Sequence, residues 1–348
     1  MCARAMPSEA RPPERGDDEF SVIARFFAPL AATEPGAFGL TDDAAALTPP
    51  AGCDLIVTCD TIVEGVHFLP DDPADSVAAK VLAVNLSDLA AMGATPAAYL
   101  LSAALPTAWE RDRRFAWLAG FSDGLDVAQR GYGVSLIGGD TVASPDRLSL
   151  TVTAIGWVAV GRALRRAGAR VGDLIFVSGT IGDAGLGLKL LAGDERMGVA
   201  PEIVDALIDR YRRPQARTAL GPRLVGLASA AIDVSDGFVA DLGHICQQSR
   251  VGAVIYLADV PVSAAARAIV GDHERQRAEL LSLGDDYEIL FTTPPERGDD
   301  VLALAAELTL PIHPVGVITA ADSAEGLVRV LARDGSCIRF EHGGYRHF

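Results

Sequence analysis

The sequence predicts an α/β (α+β) protein of two domains, on three observations. The chain has 348 residues, more than one ordinary domain holds. Short runs rich in Val, Ile and Thr, which read as strands, interleave with longer segments of helical apolar spacing. Midway, the basic, glycine-punctuated stretch GRALRRAGARVGD, from Gly161 to Asp173, separates two such series. Neighbouring strands in some places and helical crossovers in others argue against a uniform doubly wound sheet. The expected division is a disordered leader over 1–18, an N-terminal domain over 19–160 and a C-terminal α/β domain over 161–348.

Taken in order, the apolar spacing from Phe20 to Ala32 is helical, and Leu55 to Phe68 is extended chain. Asp75 to Met92 is a helix, with Asp75 or Ser76 as N-cap and Gly93 as stop. Ala98–Leu105 is a strand, Trp109–Arg130 a helix, and Val134–Ile137 and Leu148–Val158 are strands. The second series opens with the strand Leu174–Ser178. Helices follow near Asp183–Leu191, Pro201–Tyr211 and Thr218–Leu227. A strand at Ala231–Val234, a helix at Phe238–Ser249 and strands near Val254, Ile289 and Val315 complete it.

Hydrophobic residues make up 49% and charged residues 22%, as in a folded globular chain. Thirty basic against 46 acidic side chains give a net charge of −16. That balance argues against a general nucleic-acid binder or an anionic-membrane binder, both of which need a basic surface. An anionic substrate would need an intermediary cation. Lys80 and Lys189 are the two lysines, so a lysine-centred phosphate site is not expected. Five cysteines without a CxxC fit neither a disulfide framework nor a zinc knuckle, and a reducing cytoplasm fits best. The N-terminus lacks the apolar core of a signal peptide. The apolar stretch Val81–Pro106 is broken by Asn85, Ser87, Asp88 and Pro96, too often to span a bilayer.

P-loop, Rossmann, HExxH, GxSxG and protein-kinase motifs are missing. The run GTIGDAGLG (Gly179–Gly187) reads as a closely packed strand-to-helix turn before it reads as a phosphate loop. What stands out is a set of aspartates at the ends of apolar elements. They are Asp42 and Asp43, Asp60, Asp88, Asp140, Asp233 and Asp236, and Asp285 and Asp286. Singly, each could be an N-cap or turn residue. Asp88 follows Val77, Val81 and Val84 at helical spacing, which places it on a buried stripe. A carboxylate there must be protonated, paired with Arg or bound to a metal. Thr58 and Asp60 share a strand face, and the carbonyl of Cys59 between them can reach a cation. In LIGGDT the glycines would let backbone approach a ligand closely. Asp233 and Ser235 share a face, while Asp236 either joins them or caps the Phe238 helix. Clustered carboxylates need cations, and hard oxygen donors suit Mg²⁺, which in turn can hold a polyphosphate.

At these residues the sequence resembles the thiamine-monophosphate kinase family, of the superfamily that includes aminoimidazole ribonucleotide synthetase. The matching strings are DDAAAL, TCDTIVEGVHF, KVLAVNLSDLAAMGATP, LIGGDT, AIDVSDGFVADLGHI, GDDYEILF and GGYRHF, spread from about Phe20 to Phe348. The resemblance implies in-line transfer of the ATP γ-phosphoryl group to thiamine monophosphate, with several Mg²⁺ ions. It implies a synthetase-like fold whose N-terminal sheet pairs across a homodimer, with ATP between the domains. Carried over by position, Asp43, Thr58, Cys59, Asp60, Asp88, Asp140, Asp233 and Asp236 would bind Mg²⁺, with Asp60, Asp88 and Asp236 catalytic. Gly139, Asp140, Arg166 and Ser235 would hold ATP. His67, Asp285 and Tyr345 would contact thiamine monophosphate. Read on their own, His67 also fits a core histidine, Tyr345 tail packing and Arg166 a solvated linker residue. The chain departs from the family pattern at Thr41 (usually Gly), where a positive φ would strain the backbone. It departs also at Cys59 (usually Thr) and at LGDDYE (usually GGEDYE), where Asp285 is one methylene shorter. The alternatives are another ATP-dependent synthetase or cyclo-ligase of the superfamily, and an inactive Mg²⁺–nucleotide-binding protein.

Overall fold

The computed structural model describes residues 19–193, 199–321, 327–340 and 343–345; the expected leader over 1–18 lies outside them. Two sheets carry the fold. The first is built from β1 (Cys53–Val63), β2 (Thr95–Pro106), β3 (Ser135–Ser144) and β4 (Ser149–Ala159), in the order β1-β4-β2-β3. Its pairs are antiparallel except β2–β3. The second comprises β5 (Leu174–Ser178), β6 (Ala230–Asp233), β7 (Gly252–Tyr256), β8 (Ile289–Thr293), β9 (Ile312–Thr319), β10 (Val328–Leu331) and β11 (Cys337–Ile338). Its order is β11-β10-β7-β9-β5-β8-β6, mixed in direction. The helices are α1 (Glu19–Val22), α2 (Ala74–Ala91), α3 (Arg111–Tyr132), α4 (Asp183–Leu191), α5 (Pro201–Arg212) and α6 (Gly221–Leu224). After them come α7 (Phe238–Ser249), α8 (Ala264–Val270), α9 (Glu274–Leu280) and α10 (Gly298–Leu308). Among the described residues no helix is long and apolar enough to cross a membrane.

The first sheet keeps a strict alternation. On β4, Leu150, Val152, Ala154 and Val158 are buried against the helical layer, while Thr151, Thr153, Ile155 and Trp157 face the other way. On β1, Ile62 joins the buried face, whereas Leu55 and Val57 on the opposite face are 55% and 53% exposed. Helix α2 differs from the sequence expectation. Its Val77–Val81–Val84 stripe is buried, but so are Leu82, Ala83, Leu86, Leu89 and Ala90 around the rest of its circumference. The reason is that α2 packs on the first sheet and α3, and also on β6, α5 and α6 of the second half. Asp88 keeps its expected place on the stripe with Val77, Val81 and Val84, but is half-buried rather than enclosed. The N-cap is Pro73, two or three residues before the expected Asp75 or Ser76, and Ser76 Oγ donates back to Pro73 O at 2.7 Å. Gly93 ends the helix at φ 73°.

One short run of residues ties the halves together. Tyr211 Oη donates to the carbonyl of His67 at 3.2 Å, while its neighbour Arg210 stays within the second half, donating to Glu288 Oε1 at 3.0 Å. Arg212 Nε reaches Asp72 at 2.7 Å and Arg213 Nη2 reaches Asp75 at 2.6 Å. Phe20–Ala32 is helical only in pieces, α1 giving way to a π turn at Ile23–Phe27 and a 3₁₀ turn at Ala28–Ala31 that contains Pro29. The Thr218–Leu227 helix shrinks to α6, because Gly226 takes φ 90° just beyond it.

Candidate active site

Three carboxylates from three elements meet where the halves join. β1 turns Thr58 and Asp60 toward α2, α2 contributes Asp88, and the end of β6 contributes Asp233. Thr58 Oγ1 donates to Asp88 Oδ2 at 2.5 Å. The Asp60 amide donates to Asn85 Oδ1 at 2.8 Å, and Ser87 Oγ donates to Asp233 Oδ2 at 2.7 Å. The Asp88 and Asp233 carboxylates are thus each held by a hydroxyl, while Asn85 anchors the backbone at Asp60. Burial, then the charge of Asp88, pushes Asp60 up to about 6 and Asp233 up to about 7. Asp88 is raised too, by burial, against the opposing Thr58 hydrogen bond and the Arg166 charge. Arg166 lies at the exposed rim. Thr58, Asp88, Arg165, Arg166, Asp233 and Gln248 help to line a cavity of about 460 Å³. Carboxylates and a hydroxyl crowded beneath the peripheral guanidinium groups of Arg165 and Arg166 fit a divalent cation: the donors are hard oxygens, and the raised protonation midpoints mark unbalanced negative charge.

Asp43, Gly139 and Asp140 lie elsewhere. They line a separate cavity of about 1320 Å³ with Asp42, Thr141 and apolar residues such as Leu40 and Trp157. The strand register gives the reason. Asp60 lies in the row Asp60–Val152–Leu101–Gly139, and Asp140 in the row Thr61–Thr151–Ser102–Asp140. Asp140 therefore sits three strand spacings of ~4.8 Å from Thr61, on the face opposite Asp60. Within one chain the structure does not bring Asp43 and Asp140 to Asp60, Asp88 and Asp233. Gly139 is also explained differently. At φ 150°, a Cβ there would lie 1.7 Å from the carbonyl oxygen of Leu101, so strand packing by itself requires glycine at this position. Thr41 has φ −109°, and the strain expected of it is absent; Phe38 and Leu40 take the positive φ values instead.

Beyond β6, the amides of Ser235, Asp236 and Gly237 each donate to Asp241 Oδ2 at 3.1 Å. Asp236 is not the cap of α7, since Gly237 occupies that position with φ 135°. Asp236, Asp241 and His244 present ligand atoms within 4.8 Å of one another. Burial, then Asp233 and Asp236, pushes Asp241 up to about 8. The Tyr345 amide donates to the carbonyl of Asp236 at 2.9 Å, which brings the tail to this lip while its side chain stays exposed.

The remaining predicted residues form a second wall. Asp285 Oδ2 accepts from Lys80 Nζ at 3.0 Å, and its Oδ1 accepts from Tyr287 Oη at 3.3 Å. His67 Nδ1 accepts from the Val63 amide at 3.1 Å. Sequence reasoning missed Lys80, Tyr211 and Asp241. A signal existed for Lys80, one of two lysines and set in an apolar helix. For Tyr211 there was none. The GTIGDAGLG turn packs as its first reading expected. A Cβ at Gly179 or Gly187 would meet Glu288 or the Leu207 backbone at 2.1 Å. The α4 N-terminus is filled by Asp286, which accepts from the Gly182 amide at 2.6 Å.

Residues 41–158 match the family described as AIR synthase related protein, N-terminal domain, and residues 170–329 match its C-terminal domain. The chain is 45% identical over 334 residues to thiamine-monophosphate kinase of Escherichia coli O157:H7, covering 95% of this chain and 98% of that protein. The crystal structure of thiamine-monophosphate kinase from Stenotrophomonas maltophilia K279a is 42% identical with a TM-score of 0.76, over 86% of this chain and 91% of that one. A structure described as AaThiL complexed with AMPPCP and TMP is 32% identical with a TM-score of 0.73, over 91% and 98%.

Proposed function

The chain belongs to the thiamine-monophosphate kinase family, and we propose that it transfers the γ-phosphoryl group of ATP to thiamine monophosphate, giving ADP and thiamine diphosphate. The observation that carries this reading is the convergence of Asp88 and Asp233 with Arg166 on one cavity between the two sheets, with Asp60 near enough for the Asp88 charge to raise its pKa. The break between β4 and β5 supports domains over 19–160 and 161–348.

Asp60, Asp88, Asp233 and Asp236, with Thr58 and the Cys59 carbonyl, would hold Mg²⁺. When bound, Mg²⁺ supplies the positive charge that offsets both the carboxylates and the polyphosphate. The chain's own residues do the rest. Thr58 and Ser87 fix the Asp88 and Asp233 carboxylates in place, and the Asn85 side chain anchors the backbone at Asp60. Arg166 adds a guanidinium at the rim, where phosphate oxygens can be met by a fork of N–H donors. Gly139, Ser235 and Asp140 remain proposed ATP contacts, and His67, Asp285 and Tyr345 proposed acceptor contacts. No general base is needed, because the attacking phosphate of thiamine monophosphate is ionised near neutrality.

The separate placement of Asp43 and Asp140 supports a homodimer. The sheet face opposite α2 exposes Leu55, Val57 and Val142, with Ile155 and Trp157 between them. Pairing this face with a second copy would bury it and bring Asp43 and Asp140 to the interface between copies. The proposed setting is the cytoplasm, where ATP and Mg²⁺ are available. Mass spectrometry of the protein incubated with ATP, Mg²⁺ and thiamine monophosphate tests the proposal. Thiamine diphosphate and ADP in equal amounts are expected; ADP with unchanged thiamine monophosphate, or no turnover, contradicts it.

A further inference from the structure

Lys80 lies behind the acceptor wall and out of reach of any substrate. Its side chain is 2% exposed, whereas that of Asp285 is 28% exposed. The ammonium lies 3.0 Å from Asp285 Oδ2 and 3.7 Å from the centre of the Tyr211 ring. Burying an ammonium against one carboxylate is a poor way to gain stability; an apolar pair of similar volume generally does as well or better. The arrangement around it is directional. Asp285 stands at φ 69° and Tyr287 at φ 52°, and their amides donate to the carbonyls of Ser235 and Val234, each at 2.8 Å. Lys80 takes one oxygen of the Asp285 carboxylate and Tyr287 the other. Tyr211, whose ring lies against Lys80, donates its hydroxyl to the carbonyl of His67 at 3.2 Å.

We infer that Lys80 is a positioning residue for the phosphoryl acceptor: it orients the Asp285 carboxylate and, through Tyr211, joins Asp285 and His67 into one rigid wall. The inference rests on the proposed thiamine monophosphate kinase activity. It separates the two substrates, because Lys80 backs the His67–Asp285 wall and not the Arg166 rim assigned to ATP. Removing it should weaken recognition of thiamine monophosphate and leave that of ATP nearly intact.

Steady-state kinetics of Lys80→Met supply the first test. The KM for thiamine monophosphate should rise about tenfold or more, the scale on which outer contacts tune a site. The KM for ATP should change by less than about twofold, a split that a general loss of structure does not produce. Equal changes in both, or none, overturn the inference. Absence of thiamine diphosphate formation by the wild-type protein overturns the functional reading itself, so the two failures are distinguishable. The second test needs no variant at position 80 and stands even where Lys80→Met fails to fold. With two lysines in the chain, protein carrying ¹³Cε-lysine has two side-chain signals, and Lys189→Arg assigns them. Saturation with thiamine monophosphate should shift the Lys80 signal, and the ATP analogue AMPPCP with Mg²⁺ should leave it in place. A Lys80 signal unmoved by thiamine monophosphate, or moved equally by both, contradicts the assignment.

Discussion

Two acidic centres at the junction of the halves treat their charge in opposite ways. Glu288 is fully buried and arrives with its cations built in. Arg210 donates to Oε1 at 3.0 Å, Arg217 Nε donates to Oε2 at 2.6 Å and Arg217 Nη2 also bonds Oε1, while Ser178 Oγ donates to Oε2 at 2.6 Å. Asp60, Asp88 and Asp233 gather with hydroxyl donors on the latter two and with Arg165 and Arg166 exposed at the rim. The difference separates a carboxylate that holds the fold from carboxylates that await a ligand. Where the chain needs a negative charge for structure it supplies guanidinium groups; where it leaves three carboxylates underbalanced, the proposed function has a divalent cation with its phosphate ligand complete them.

The largest expected effect breaks the underbalanced centre. Asp88→Asn should lower kcat by about 10²–10³-fold or more, the range for deleting one preorganised electrostatic contact in a transition state. The protein should stay folded, and Mg²⁺ should no longer raise its melting temperature. Near-normal turnover would remove Asp88 from the site. Glu288→Ala attacks the balanced centre and leaves Arg210 and Arg217 without their carboxylate. It should cost about 3–5 kcal/mol of stability in denaturant unfolding, and added Mg²⁺ should not restore it. Full recovery with Mg²⁺ would erase the contrast between the centres.

A smaller effect follows from pH. Asp60, Asp233 and Asp241 titrate near 6, 7 and 8 in the folded chain, against an ordinary value of 3.8. The folded state then binds more protons than the unfolded state between about pH 4 and 8, so stability without metal falls as pH rises through that window. Thermal melts in chelator should show the melting temperature dropping by roughly 5 °C or more from pH 5 to pH 8, at about 2–4 °C per kcal/mol. Mg²⁺ should flatten the slope; an apo-protein equally stable at both pH values would count against the underbalanced centre. The smallest effect is expected at Thr41. Its φ of −109° carries no strain, so Thr41→Gly should change the rate and the melting point little, within about 0.5 kcal/mol. A gain beyond that would mean the backbone there is under strain after all.

Much of this was legible in the sequence, for local reasons. Strand alternation, the glycine after Met92 and the Phe238–Ser249 helix depend on neighbours in the chain, and they were read nearly to the residue. The carboxylates that gather at the junction stood out because each lies in or beside an apolar element. Helix α2 was misjudged because one-sided periodicity cannot show that a second half of the molecule covers the other side. Helices α8 and α9, of seven residues each, went unread, as did α10 despite Asp299 and Asp300 in its first turn. The division of the aspartates between two cavities depends on the order of the strands, which spacing along the chain does not encode. The Lys80–Asp285 pair joins positions 205 residues apart and left no local trace.

Diffraction from crystals soaked with Mn²⁺ and AMPPCP, recorded at the manganese edge, tests the central claim most directly. Anomalous peaks should lie in contact with the carboxylates of Asp60, Asp88 and Asp233, with the analogue's phosphates beside them and Arg166 at the edge. Bound analogue with no peak at those three carboxylates, or with manganese confined to surface acids, would contradict the account.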